Sequence, residues 1–349
     1  MANLLGSSAP GGNVMNYGGE SHLRWEKGSI ATVFGGAGFL GRHTVQALAR
    51  DGWRVCAAMR RPDLAEHLQP LGEVGQIYTV QANVRFPASV RRAIRGAEVV
   101  VNLVGIQTET GRQTFEAVHV AGARAIAKAA QEAGVKSVVH VSAIGASARS
   151  PSAYDRSKAA GEKVGLEEFP SCVILRPSVV FGPEDRLFNH FAAMARALPF
   201  LPLIGGGKTK FQPVFVGDVA AAIAAACAGR ARLSSIYELG GPEVITLRGL
   251  LERTLQWSGR RRFLLYTPFW IAKLGALMTA PLPNMFRPFT FDQIWRLESD
   301  NVVTESAEAS RLTLAGLGID HAHTIELIVP SYLERFHPRG QFAHYHTRP

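Results

Sequence analysis

The stretch that most constrains this chain is Gly35-Gly36-Ala37-Gly38-Phe39-Leu40-Gly41. It follows the apolar run Ile30–Phe34 directly and opens a helical pattern from Leu40 to Arg50. Glycines at 35, 38 and 41 meet three needs of a strand–turn–helix corner: a sharp turn, close approach of the backbone to a ligand, and tight packing of helix on sheet. The helix start also presents unpaired N–H groups and the positive end of its dipole to an anion. A glycine pattern alone is weak, but here the flanking elements are those a diphosphate-binding corner requires. The chain is therefore expected to bind a dinucleotide at the first turn of its first helix.

From Ile30 to about Phe181, short β-branched runs alternate with helical stretches. The strands are expected at Ile30–Phe34, Arg54–Met59, Gln76–Val80, Glu98–Val104, Ser137–Ser142 and Cys172–Leu175, and the helices at Leu40–Arg50, Ala88–Ile94, Phe115–Ala133 and Tyr154–Glu167. Strands apolar at nearly every position suit a parallel sheet covered on both faces. The alternation predicts an α/β class: a Rossmann-type doubly wound parallel sheet with a smaller, mostly helical C-terminal lobe. The expected divisions are a flexible segment over 1–28, a nucleotide-binding domain over 29–182, a lobe interleaved with it over 183–336, and a loose tail over 337–349. An Ala-rich helix is expected from Asp218 to Ala228 within the lobe.

Composition excludes several classes. With 47% hydrophobic and 19% charged residues the chain is a globular one. Three scattered cysteines, Cys56, Cys172 and Cys227, form neither a disulfide framework nor a CxxC zinc site, and are expected as buried thiols. The run Phe263–Pro283 is broken by Pro268, Lys273 and Pro281, so no bilayer-spanning helix is expected. The first 28 residues lack a hydrophobic signal core and an Arg-rich amphipathic pattern, and read as neither signal nor transit peptide. The net charge of +10 favours anionic partners without choosing among them. No nucleic-acid module surrounds Arg91, Arg92 and Arg95, which read as an exposed helix face; no nucleic-acid role is expected. The HxH pairs His321/His323 and His344/His346 read as solvated loop and tail residues, with no metal expected.

The GxxGxxG spacing resembles the extended and atypical branches of the short-chain dehydrogenase/reductase superfamily. NAD-selective members end the second strand with an acid on the adenosine ribose. This chain instead reads Met59-Arg60-Arg61, whose guanidinium groups can grip a 2′-phosphate, so NADP(H) is expected over NAD(H). The bland alternative makes Arg60 and Arg61 solvated turn residues. The superfamily plan implies further cofactor contacts: Asn83-Val84 beside the adenine, Asn102-Leu103-Val104-Gly105 beside the ribose and phosphates, and Pro177-Ser178-Val179 facing the nicotinamide amide.

Tyr154 and Lys158 form a YxxxK pair on one helix face, where Lys158 can hold the nicotinamide ribose and lower the Tyr154 pKa. A hydride-transferring member also needs a serine to position a carbonyl. Ser142 is the candidate, yet the superfamily resemblance places Ala143 in that slot, and strand neighbours point to opposite faces unless a bulge re-aims them. His119-Val120-Ala121-Gly122 also replaces an Asn-Val-x-Gly pattern. Cofactor-binding residues are thus kept while substrate-polarising ones are partly lost, and Tyr154 and Lys158 can serve as cofactor contacts alone.

Beyond the loop, the segments His67–Gln76, Arg176–Phe188, Gln212–Val219 and Phe291–Val303 are similar to one branch of the superfamily: the NADPH-binding, dehydrogenase-like accessory subunit of respiratory complex I and its bacterial relatives. The resemblance covers about residues 30–335. It implies tightly held nucleotide, a structural or regulatory role with little turnover, and complex I partners on the hydrophilic arm near the quinone region. It also implies a peripheral position at the inner membrane, on the cytoplasmic side in a bacterium and on the matrix side in a mitochondrion. The alternatives are an active reductase, dehydrogenase or epimerase on a sugar-nucleotide or isoprenoid/sterol-like substrate, and a redox-sensing regulator.

Residues 260–295 carry eight aromatic side chains from Phe263 to Trp295, with Arg260-Arg261-Arg262, Lys273 and Arg287 beside them. Such a stretch suits contact with anionic headgroups or a membrane-bound partner. It equally suits an aromatic lid over the cleft. Asp185 is expected to pair locally with Arg186.

Overall fold

A computed structural model describes residues 28–279, 289–338 and 340. The expectations for the N-terminal segment, Pro281–Pro288 with Phe286 and Arg287, and His344 and His346 lie outside the described residues. The first half runs β1 (Ile30–Phe34), α1 (Phe39–Arg50), β2 (Arg54–Met59), β3 (Ile77–Gln81), α2 (Pro87–Ile94), β4 (Val99–Asn102), α3 (Ala121–Glu132), β5 (Ser137–Val141), α4 (Ala153–Glu168) and β6 (Val173–Pro177). There follow β7 (Val180–Phe181), α5 (Phe188–Ala197), β8 (Phe200–Ile204), β9 (Lys210–Phe211), β10 (Val214–Phe215), α6 (Val216–Cys227) and β11 (Ile236–Leu239). The chain ends through β12 (Ile245–Thr246), α7 (Leu247–Trp257), β13 (Phe263–Thr267), α8 (Phe269–Thr279), α9 (Phe291–Arg296), α10 (Glu305–Ala309) and α11 (Ile325–Leu333).

Seven parallel strands form the main sheet in the order β3-β2-β1-β4-β5-β6-β11. Strand order reverses between β1 and β4, so the loops leaving these two strands open a crevice at their carboxyl ends. Helices cover both faces. One face buries Val33, Val55, Val101, Val139 and Leu175 against α1 and α6, and the other buries Phe34, Val100, Val138 and Ile174 against α2 and α3. This two-sided burial is why the strands are apolar throughout. A third core, around Phe181, Phe188, Leu203, Leu250 and Leu333, belongs to the C-terminal lobe. The fold is the expected Rossmann-type sheet with a mostly helical lobe.

Elements shift from their expected bounds for local reasons. Residue 76 leaves β3 because the Gln76 side chain donates to the carbonyls of Ala49 and Trp53, at 2.7 and 3.0 Å. β4 stops at Asn102, whose Oδ1 accepts the Val104 N–H at 3.0 Å and turns the chain. The helix expected from Phe115 opens instead with a π-helical turn, Glu116–Val120. The edge strand β11 was not expected: four residues long, it is supplied from beyond α6.

Polar stitches hold the lobe to the sheet. Arg176 on β6 forks onto Glu162 of α4 at 2.8 and 2.6 Å and lies 3.9 Å from Glu238 of β11. Glu238 in turn accepts the Thr304 N–H at 2.8 Å. Asn301 accepts the Ser178 hydroxyl at 2.7 Å and donates to the Ile144 carbonyl at 3.2 Å. Asp185 does not pair with Arg186; it accepts from the Gly182 and Asn189 N–H groups and, at 2.5 Å, from the buried Tyr332 hydroxyl. All three cysteines are free and buried.

Removing one member of a buried ion network leaves charge uncompensated. Arg176→Met, which leaves Glu162 and Glu238 without their cation, should therefore cost about 3 kcal/mol by denaturant unfolding. Arg176→Lys should recover part of that loss.

Candidate nucleotide site

The glycine corner fits a diphosphate because side chains are excluded from it. Gly35 adopts φ +85°, and its N–H donates to the Ala58 carbonyl at 2.9 Å. A Cβ on Gly41 would lie 2.2 Å from the Gly35 carbonyl oxygen, and one on Gly36 would lie 3.0 Å from Ala57 Cβ. Gly38 caps α1 with no side-chain partner, and no acid stands in the first turn to compete for an anion. Ala37, Phe39 and Leu40 complete the corner, with Phe39 packed over Gly182, so the Arg176–Phe188 segment seats the start of α1. Leu103 abuts Gly35 from the loop after β4: a Cβ on Gly35 would lie 3.3 Å from the Leu103 carbonyl carbon.

Beside the ends of β2 and β3 lies a groove of about 310 Å³ lined by Arg60, Asn83, Phe86 and Arg92, among others. Arg60 donates to Gln113 at 2.6 Å. Arg61, expected to work with it, instead forks onto Asp63 at 2.7–3.1 Å, and the groove's second cation is Arg92. The Arg61–Asp63 pair is solvent-exposed and weakly held, so an incoming phosphate can compete with Asp63 for Arg61. The side chains of Asn83 and Asn102 are committed to turns, Asn83 Oδ1 accepting the Arg85 N–H and Asn102 Oδ1 that of Val104. Val84 is buried, and Ser178 is spent on Asn301. Pro177 is buried, and Val104 and Val179 are half-buried.

At the far end stand Tyr154 and Lys158. Lys158 is buried and donates to the Val141 carbonyl at 2.8 Å. A Cβ on Gly105 would lie 4.0 Å from its Nζ. Burial draws the Lys158 pKa down to about 8, against an opposing pull from Glu162. The Tyr154 phenol is shifted up, not down as expected: burial dominates, and the leading cation lowering it is Arg296, 4.4 Å over the ring, not Lys158.

Ser142, the candidate serine, lies one residue beyond the end of β5. The ladder is regular, with Ser142 N–H on Leu175 O and Ile144 N–H on Pro177 O, so no bulge re-aims it. Its hydroxyl is buried with no hydrogen-bond partner, and the neighbouring Ala143 is buried as well. His119 replaces asparagine as a buried spacer. Its Nε2 accepts the Ile106 N–H at 3.0 Å, and its Nδ1 lies 2.8 Å from Ser157 Oγ, which itself donates to the Tyr154 carbonyl at 2.7 Å. The ring is therefore neutral, with its proton on Nδ1. His323, read as solvated, is held by Asp218 at 2.7 Å. Among the described residues no three His, Cys, Asp or Glu converge as metal ligands, and no helix is long and apolar enough to cross a membrane.

The sheet order, the glycine corner and the paired Tyr154 and Lys158 define a dinucleotide-binding protein of short-chain dehydrogenase/reductase type. The chain belongs to the NAD dependent epimerase/dehydratase family, whose pattern matches residues 31–240. It is 39% identical over 303 residues to NADH dehydrogenase [ubiquinone] 1 alpha subcomplex subunit 9, mitochondrial, of Arabidopsis thaliana, covering 83% of this chain and 74% of that one. It is 33% identical over 198 residues to the ceramide reductase of Caulobacter vibrioides, covering 57% of this chain and 61% of that one. Among solved structures, the Escherichia coli NADPH-dependent quinone oxidoreductase QOR2 complexed with NADPH shares the fold. Its TM-score is 0.66 and its identity 22%, with 87% of this chain and 99% of that one covered.

Burial draws the His119 and His140 pKa values from 6.5 to about 3, with Lys158 adding to both. Their folded pKa values lie below the unfolded ones, so unfolding takes up protons between those limits. Stability should hold above pH 6.5 and fall as pH drops toward 3. Denaturant midpoints measured against pH should show a slope about one proton shallower in His119→Gln.

Proposed function

We propose that this protein is an NADPH-holding accessory subunit of a respiratory NADH:ubiquinone oxidoreductase, with a structural or regulatory role and little or no turnover. The observation that carries the reading is the likeness to subunit 9 over 83% of the chain. The site supports it from a second direction. The diphosphate corner is complete, whereas the position needed to polarise a carbonyl carries the methyl of Ala143. The partners are hydrophilic-arm subunits near the quinone region, and the protein lies peripherally on the cytoplasmic side of a bacterial inner membrane.

The 2′-phosphate of NADPH is assigned to the groove at Arg60 and Arg92, where two cations and no carboxylate line the wall. Isothermal titration should find NADPH preferred over NADH. Arg60→Ala should reduce that preference about tenfold, corresponding to roughly 1.4 kcal/mol. An unchanged ratio would remove Arg60 from the site.

The peripheral contact is assigned to β13 and α8. Phe263 is 85% exposed, Trp270 67% and Met278 73%, with Leu265 and Leu277 also exposed. Exposed apolar surface of this extent marks an interaction face. Phe269 does not belong to it, since its ring packs over Gly205. Arg260 and Arg262 are partly spent on the carbonyls of Phe336 and Ala195, at 3.0 and 2.8 Å. Trp270→Glu with Met278→Glu should sharply lower recovery of the protein with native membranes while leaving NADPH affinity intact. Co-sedimentation equal to wild type would assign the contact elsewhere.

The second reading, an active reductase, draws on the shared helix face of Tyr154 and Lys158. Steady NADPH oxidation abolished by Tyr154→Phe would favour it.

A further inference from the structure

Helix α9 reaches from the C-terminal lobe to the first turn of α4, the helix that carries Tyr154 and Lys158. Asp292 accepts the Ser152 hydroxyl at 2.9 Å and the Ala153 N–H at 2.7 Å, with the Tyr154 N–H at 3.5 Å from the same oxygen as Ala153. These backbone donors are among those a helix leaves unpaired at its start. A carboxylate 140 residues downstream of Ser152 thus completes the cap of α4. One turn on, the Arg296 guanidinium carbon lies 4.4 Å over the centre of the Tyr154 ring, and its Nε lies 3.5 Å from Asp155 Oδ1.

α9 is tied in turn to α8. Lys273 Nζ lies 3.3 Å over the Trp295 ring and 2.6 Å from Glu298 Oε1. α8 is the helix that exposes Trp270, Leu277 and Met278. Two side-chain joints therefore separate the exposed apolar face from the phenol: Lys273 on Trp295 and Glu298, then Asp292 and Arg296 on α4.

We propose that Asp292 and Arg296 are positioning residues: Asp292 seats α9 on α4, and Arg296 lies on the Tyr154 ring so that the charge around this phenol reports where the C-terminal lobe sits. The charged and titratable groups around the ring are His119 from the π-helical turn, Asp155 and Lys158 on its own helix, and Asp292 and Arg296 on α9. Burial and the two aspartates raise the phenol, and Arg296 opposes them. The inference goes beyond the proposed function, because the joint exists within this chain and requires no bound dinucleotide.

The test is an alkaline NMR titration of the full chain labelled with ¹³Cζ-tyrosine, with Tyr154→Phe identifying the signal. A nearby opposite charge moves a pKa by about 1–3 units, and a cation over the ring face rather than at the oxygen belongs at the low end. Arg296→Gln should therefore raise the Tyr154 titration by about one unit, while Arg296→Lys, which keeps the charge, stays near wild type. Lys273→Met, at the distal joint, should move it in the same direction. Combined with Arg296→Gln it should add little, because both act through one contact. An unchanged titration in Arg296→Gln, or Arg296→Lys matching Arg296→Gln, overturns the proposal. Should Arg296→Gln not fold, Lys273→Met decides, and an unmoved titration there is equally fatal.

Discussion

The backbone of Gly41 lies against the carbonyl of Gly35 so closely that no side chain fits between them. This contact sets how near α1 stands to β1, and much of the site inherits its geometry from that spacing. With α1 seated there, its first-turn N–H groups point into the crevice where strand order reverses. Leu103 closes over Gly35 from the neighbouring strand, and Lys158 fixes the next loop through the Val141 carbonyl. A wider helix–strand distance would lose the amide cradle and the crevice together, because they are one arrangement of backbone.

The C-terminal lobe is built into this arrangement rather than hung from it. β11 pairs with β6, so the lobe supplies an edge strand of the main sheet. Asn301 bridges Ser178 and Ile144, the residues just beyond β6 and near the end of β5. Asp292 caps α4. The last two of these join lobe to sheet beyond the carboxyl ends of strands, the edge at which strand order opens the crevice. The lobe therefore meets the sheet at that edge, and Lys273 links the contact to the helix with the exposed apolar face.

Much of this was legible in the sequence where the cause is local. The glycine corner, the strands and the helices follow from periodicity and spacing within a dozen residues. The expectation that Ala143 takes the place of a catalytic serine came from the superfamily resemblance, with alternation adding only that Ser142 is no simple substitute. Missing were contacts whose partners lie far apart: Arg92 converging with Arg60, Asp292 and Arg296 reaching Tyr154, and β11 joining a sheet begun two hundred residues earlier. The Arg61–Asp63 pair was within reach, since two residues of opposite charge flank Pro62 at the start of a turn. The role of His119 was hidden because its partners, Ile106 and Ser157, come from two other segments.

A bound dinucleotide is consumed only if the protein favours the transition state over the ground state. On the proposed reading, the corner at Gly35–Gly41, the groove at Arg60 and the Lys158 ammonium would all act on parts of the cofactor that do not change during hydride transfer. They deepen binding without lowering the barrier. On the same reading, the group that would meet developing charge on a carbonyl is a hydroxyl at position 143, where this chain has a methyl. On that reading the hydroxyl at position 142 is no replacement, since neighbours along an extended chain point to opposite faces. On the proposed reading, the retained tyrosine is then no surplus. Its ring is a surface on which Arg296 rests, and through it the lobe is packed against the helix that holds the cofactor.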